Sequence, residues 1–159
     1  MSDHEFKMAD GAAQPLADHL GIMNCLNQYC HVVDRGSVDE IVALFAEDAV
    51  LLTPYQGDGR FEGRAGIRAW YENYDREVRA ARRHRRHTIT SPFITINGDA
   101  ATAVCYLDSS TILIASNVIN VSSGRYDDKL VKVNGTWLFK ERIININHVH
   151  RIESFDEPS

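Results

Sequence analysis

Along the first third of the chain, apolar residues recur every three to four positions. Ile22, Leu26, Tyr29, Cys30 and Val33 fall on one face at the 3.6-residue repeat, which predicts an amphipathic helix over residues 15–34. Gly36-Ser37 restarts the chain, and with Ser37 as N-cap a second helix is expected over residues 38–46. A short strand over 49–53 and a loop over 54–59 lead to a third helix over 63–82, with Ile67, Trp70, Tyr71 and Tyr74 on its inner side. The period then changes to two. Strands over 87–96 and 101–114 pair across Asn97-Gly98-Asp99, a strand over 117–126 follows, and 130–133 pairs with 137–146 across Asn134-Gly135. Helices first and an antiparallel meander last is an α+β pattern, in which a curved sheet wraps the helices. The expected division is a polar tail over 1–15, one domain over 16–147 and a C-terminal tail over 148–159.

One residue breaks the pattern. Asp34 lies one turn beyond Cys30 on the apolar face. Either it closes the helix half exposed before Gly36, or it is buried and needs a partner, because an unpaired ionised carboxylate in an apolar medium is too costly to keep. His87 opens the first long strand, where alternation groups it with Ile89, Ser91 and Phe93. Paired with a buried Asp34, its ring would be fixed in one tautomer and serve as a base; unpaired, it is a surface residue ending a basic loop. Tyr29 precedes Asp34 by five residues, about 140° around the helix, so the two can flank a pocket and the phenol can donate to a substrate oxygen. Tyr55, Trp70 and Tyr74 fit either the wall of a pocket for a flat ligand or plain packing. Asn120 fits a polar pocket residue or a solvent-facing one.

Length and charge narrow the function classes. A chain of 159 residues carries one core of ordinary size. Its net charge of -5 argues against a general nucleic-acid binder, and no apolar run reaches the length of a membrane span. The first fifteen residues lack a basic start and an apolar stretch, so a cytoplasmic protein is expected. Cys25, Cys30 and Cys105 form no C-x-x-C pair and read as buried thiols. The arginine-rich run 79–86 reads as a solvated helix end whose cations suit the negative pole of the third helix, with binding of an anionic substrate tail or a phosphate as the alternative. His148 and His150 have no acid or Cys at fixed spacing, so no metal site is expected.

The run from Asp34 through Phe45 to Asp48, then Phe61-Glu-Gly63, then His87 ahead of residues 94–100, and the closing hairpin from Tyr126 through Trp137 to Arg142 resemble the SnoaL-like branch of the nuclear-transport-factor-like superfamily. The resemblance covers about residues 16–146. It implies a cone-shaped α+β barrel with three N-terminal helices and one deep apolar pocket, in which the Asp of the first helix meets the strand His. It also implies a homo-oligomer, dimer or trimer. Tyr29, Asp34 and His87, with Asp108 and Arg142 in later strands, are similar to the constellation of bile acid 7-alpha-dehydratases. Scytalone-dehydratase-like enzymes use a related pocket but add a second strand histidine, and no His stands between residues 100 and 147 here. The activity so implied is a cofactor-independent dehydratase or isomerase acting on a hydrophobic carbonyl compound of steroid, polyketide or aromatic type. Alternatives are a non-catalytic binding cone, an accessory subunit like the beta subunits of ring-hydroxylating dioxygenases, or a cyclase or hydrolase, because one fold serves many functions.

Overall fold

The computed structural model describes residues 16–56 and 59–153; the tail expected over 1–15 lies outside them. Helix α1 spans Leu16–Arg35, α2 Val38–Ala43 and α3 Gly63–Tyr74; strands β1 to β6 span Phe45–Thr53, Gly59–Glu62, Arg82–Asn97, Ala100–Leu113, Ile119–Val133 and Thr136–Ile152. They form one sheet in the order β2-β1-β6-β5-β4-β3. All pairs are antiparallel except β1 with β6, which is parallel. Helix α1 packs against both β3 and β6, although these strands lie three places apart in the sheet, so the sheet curves around the helix. The predicted apolar face of α1 is the buried one, and it meets Phe139 and Tyr126 from the sheet. No described helix is long and apolar enough to cross a membrane.

Several element boundaries differ from the sequence pattern, each for a tertiary reason. The capping box at Ser37 and Glu40 starts α2 as expected, but the helix ends at Ala43 rather than 46. The Leu44 carbonyl accepts the Phe139 N–H at 2.8 Å, which begins the parallel pairing of β1 with β6 four residues before the strand expected at 49. Helix α3 stops at Tyr74 and runs into a π-helical turn, Asp75–Arg79, before β3 begins at Arg82. The break expected at 127–129 does not occur. Its charges have partners on β6: Arg142 donates to Asp128, Asn145 to Asp127 at 2.7 Å, and Lys129 pairs with Glu141 at 2.8 Å, so β5 is continuous. Likewise β6 continues to Ile152, paired with Ile119, and residues 148–152 are strand rather than tail.

Two bulges re-aim β3. The register with β4 shifts between Arg83 and Arg86, where His84 has φ 50°, and again between Thr90 and Phe93, where Ser91 has φ 51°. Each inserts one residue and reverses which side chains face inward. After the second, Ile94 is buried and Phe93 turns outward, so Phe93 does not share the His87 face that simple alternation gives it. Pro92 is tolerated here because β3 is an edge strand.

Candidate active site

The last turn of α1 carries Asp34 onto the start of β3. Its side chain is buried, with Oδ1 2.6 Å from Nδ1 of His87, while Oδ2 accepts the main-chain N–H of the same residue at 2.9 Å. A carboxylate is an acceptor only, so in the neutral ring the hydrogen is assigned to Nδ1 and the lone pair to Nε2. Of the two readings of Asp34, the buried and partnered one holds.

The arginine run secures this clamp from behind. Arg85 donates to the carbonyl of Asp34 at 2.8 Å and to those of Arg79 and Arg82 at 3.1 and 2.9 Å, and Arg79 donates to the carbonyl of Gly36 at 2.7 Å. The last carbonyls of a helix lack partners within it, and two guanidinium groups supply them at the negative pole of α1. The pole served is therefore that of the first helix, not the third, and Arg79 is buried rather than solvated.

His87 opens on a cavity of about 370 Å³, between α1 and the concave side of the sheet. Asp34 does not line it; the carboxylate reaches the cavity only through the imidazole. Tyr29 does line it. Its hydroxyl lies 2.7 Å from that of Tyr71, and its ring covers the guanidinium of Arg142 at 4.0 Å. Burial pushes the Tyr29 phenol up to about 12, against the pull of Arg142, so it stays protonated. If Tyr71 donates within the pair, Tyr29 keeps its own hydrogen for an oxygen in the cavity.

Tyr55, Trp70, Tyr74 and Asn120 line the same cavity. Trp70 and Tyr74 stack at 5.3 Å and 13°, and the Trp70 indole N–H is held by Gln56 at 3.1 Å, so one wall is flat and aromatic. Two expected residues are not there. Asp108 faces outward on β4, accepting the Ser123 hydroxyl at 2.5 Å. Arg142 is fully buried behind the cavity, bound to both oxygens of Asp128 at 2.8 Å and enclosed by the rings of Tyr29, Tyr126 and Phe139. Burial pushes the Asp128 carboxyl up against the pull of Arg142. Burial is the largest single effect on Arg142 and opposes its charge, but Asp128, with Tyr29 and Tyr126, together outweighs it and raises its pKa. The Asp-Arg pair makes Arg142 a fixed base for the Tyr29 ring rather than a substrate contact. Not anticipated from the sequence were Asp128, which falls between the strands expected over 117–126 and 130–133, and Ser109, Ser122 and Arg151, which only the curvature of the sheet brings to the cavity. His148 and His150 have rings 4.8 Å apart, and among the described residues no third metal-ligating group joins them.

Known proteins with this architecture are numerous. One solved structure, described as an aromatic ring hydroxylase from Novosphingobium aromaticivorans, is 25% identical, covers 87% of this chain and 96% of its own, and superposes with a TM-score of 0.75. A protein described as a scytalone dehydratase from the same organism gives 20% identity, coverage of 89% and 91%, and a TM-score of 0.76. A hexachlorocyclohexane dehydrochlorinase, LinA type 2, gives 16% identity, coverage of 91% and 95%, and a TM-score of 0.74. At such identities the last two establish likeness of fold alone. A search of the curated proteins found no match. The model of the SnoaL-like domain matches residues 14–143, most of the chain, and the protein therefore belongs to the SnoaL-like domain family.

Proposed function

We propose that the protein is a cofactor-independent lyase or isomerase that removes a proton from carbon beside the carbonyl of a hydrophobic substrate. The observation that carries this reading is the two-point hold of Asp34 on His87, which assigns the lone pair to Nε2 on a ring that lines the cavity. In the scheme, Nε2 takes the proton, the C–H electrons move into the carbonyl, and the Tyr29 O–H steadies the enolate oxygen. For dehydration, the enolate expels a hydroxyl from the β carbon, and the imidazolium gives its proton to that group, releasing water and a conjugated carbonyl compound. For isomerisation, the same proton returns to another carbon of the conjugated system. A cavity of about 370 Å³ lies at the small end of ligand pockets, which favours substrates of one or two rings over larger polycycles. Two of the structural neighbours are described as a dehydratase and a dehydrochlorinase, both names for eliminations, which agrees with this chemistry.

Deuterium exchange tests it without the natural substrate. Cyclic β-hydroxy ketones incubated in deuterated buffer are followed by proton NMR for loss of the α signal. The wild type should accelerate exchange, and His87→Gln should lower the rate by about 10²- to 10⁴-fold. Equal exchange by both proteins refutes the role of His87. A folded wild type that exchanges no ketone favours the second reading, an accessory or binding role, for which the likeness to a protein described as an aromatic ring hydroxylase speaks.

A further inference from the structure

The cavity is charged in one sense. Among the described residues that line it there is no carboxylate, whereas Arg82 and Arg151 both do, in a chain whose net charge is -5. Arg82 is the informative one. Its neighbours in the arginine run are engaged elsewhere: Arg79 and Arg85 on the end of α1, and Arg83 on Asn117 at 2.6 Å. Arg82 itself is half buried, and its guanidinium has no hydrogen-bond or ion-pair partner among the described residues.

Its direction follows from the first bulge of β3. Arg82 and His87 are five residues apart, so strict alternation would put them on opposite faces. The extra residue at the register shift between Arg83 and Arg86 restores them to the same side, and both meet the cavity. At roughly 3.3 Å per residue their main chains are no more than about 17 Å apart. Burial pushes the Tyr74 phenol up, and the charge of Arg82, which lines the same cavity, is the largest effect opposing it. On the far side, Arg151 follows Val149 along β6, and the strand between offers Asn120 and Ser122 as neutral donors.

We propose that this pocket selects substrates bearing a carboxylate, bound by Arg82 at the mouth with Arg151 opposite, while the ring body lies against Trp70 and Tyr74 and the reacting carbon faces His87. This deepens the proposed function and rests on it only for the position of the reacting carbon. The planar fork of arginine matches a carboxylate at two points, and a half-buried cation without a counter-ion is where such a bond contributes most.

Calorimetric titration of the full-length protein with 2-naphthylacetate and with its neutral amide tests the proposal. The acid should bind roughly 10- to 100-fold more tightly than the amide, and the ratio should shrink with added salt. Arg82→Gln should bring the ratio close to one, with the amide bound as before, and Arg82→Lys should restore part of it. Equal binding of acid and amide by the wild type, no measurable binding of the acid, or an unchanged ratio in a folded Arg82→Gln protein overturns the proposal. So does tighter binding of 2-naphthyl phosphate, which would assign the site to phosphate esters. Should Arg82→Gln not fold, the wild-type ratio and its salt dependence decide. His87→Gln separates the two ideas: it should keep the acid preference while losing proton exchange, so failure of either reading leaves the other readable.

Discussion

Replacing Asp34 by asparagine alters one atom type and almost no volume, yet neither orientation of the amide fits. If the amide oxygen accepts the main-chain N–H of His87, now held at 2.9 Å, the NH₂ faces Nδ1 and must donate to it, which moves the ring hydrogen to Nε2. If the amide turns over, its oxygen keeps Nδ1–H but its NH₂ points at the N–H of His87, donor against donor. The first orientation loses one charge-assisted bond, worth about 1.5–3 kcal/mol, and the second adds an unsatisfied buried donor at about 1–3 kcal/mol. The less costly orientation sets a destabilisation of about 1.5–3 kcal/mol, or a fall in Tm of about 3–12 °C for a domain of this size. The first orientation is the less costly and leaves no lone pair toward the cavity; holding the wrong tautomer costs on the order of 10⁴-fold in turnover. Nitrogen-15 NMR of the labelled ring reads the tautomer directly. In the wild type at neutral pH the neutral ring should show Nδ1 bonded to hydrogen and Nε2 bare, and Asp34→Asn should invert this while far-UV circular dichroism stays unchanged. A wild-type ring protonated at Nε2, or an Asp34→Asn protein whose proton exchange stays within threefold of wild type, would refute the reasoning.

Tyr29→Phe removes a donor from the cavity and a partner from Tyr71; proton exchange should fall about 10- to 100-fold and stability by about 1 kcal/mol, read by exchange rate and urea denaturation. Because burial pushes the Tyr29 phenol up to about 12, the alkaline limb of the rate profile below that pH should keep the same shape in Tyr29→Phe as in wild type, at the lower rate. A Cβ on Gly124, at the bulge where β5 meets β6, would lie 1.9 Å from the carbonyl oxygen of Asn145, so Gly124→Ala should cost about 3 kcal/mol in a urea titration. Asp18 accepts from Lys132 at 2.6 Å and from the Trp137 indole at 2.9 Å, bonds that hold its carboxyl below the ordinary carboxylate value. Its folded pKa lies below its unfolded one, so its contribution to stability is complete above about pH 4 and is lost as the pH falls through the folded value. The difference in urea midpoint between wild type and Asp18→Asn should therefore be present at neutral pH and close in acid; a gap that persists in acid would contradict it.

Periodicity determined the α+β class, the three helices with their inner faces and the hairpin at Asn134-Gly135, because a helix or strand declares its buried side by spacing alone. The Asp34-His87 pair was half legible. An acid on an apolar stripe demands a partner, but the sequence offers the partner only through resemblance, and the distance of 2.6 Å exists only once α1 lies across the start of β3. Where local reading and structure part, a distant partner changed the meaning of a charge. Asp127-Asp128 interrupts the strand pattern until Arg142 and Asn145 on β6 satisfy it, and the arginines after α3 look solvated until two of them close α1. Bulges are the other cause. One added residue in β3 reverses every side chain beyond it, which no alternation pattern records, and that reversal turns Arg82 toward the cavity it shares with His87. The sequence thus determined which residues needed burial or a counter-charge; tertiary structure alone decided which distant groups met that need, because partners some fifty residues apart are chosen by the curvature and register of the sheet.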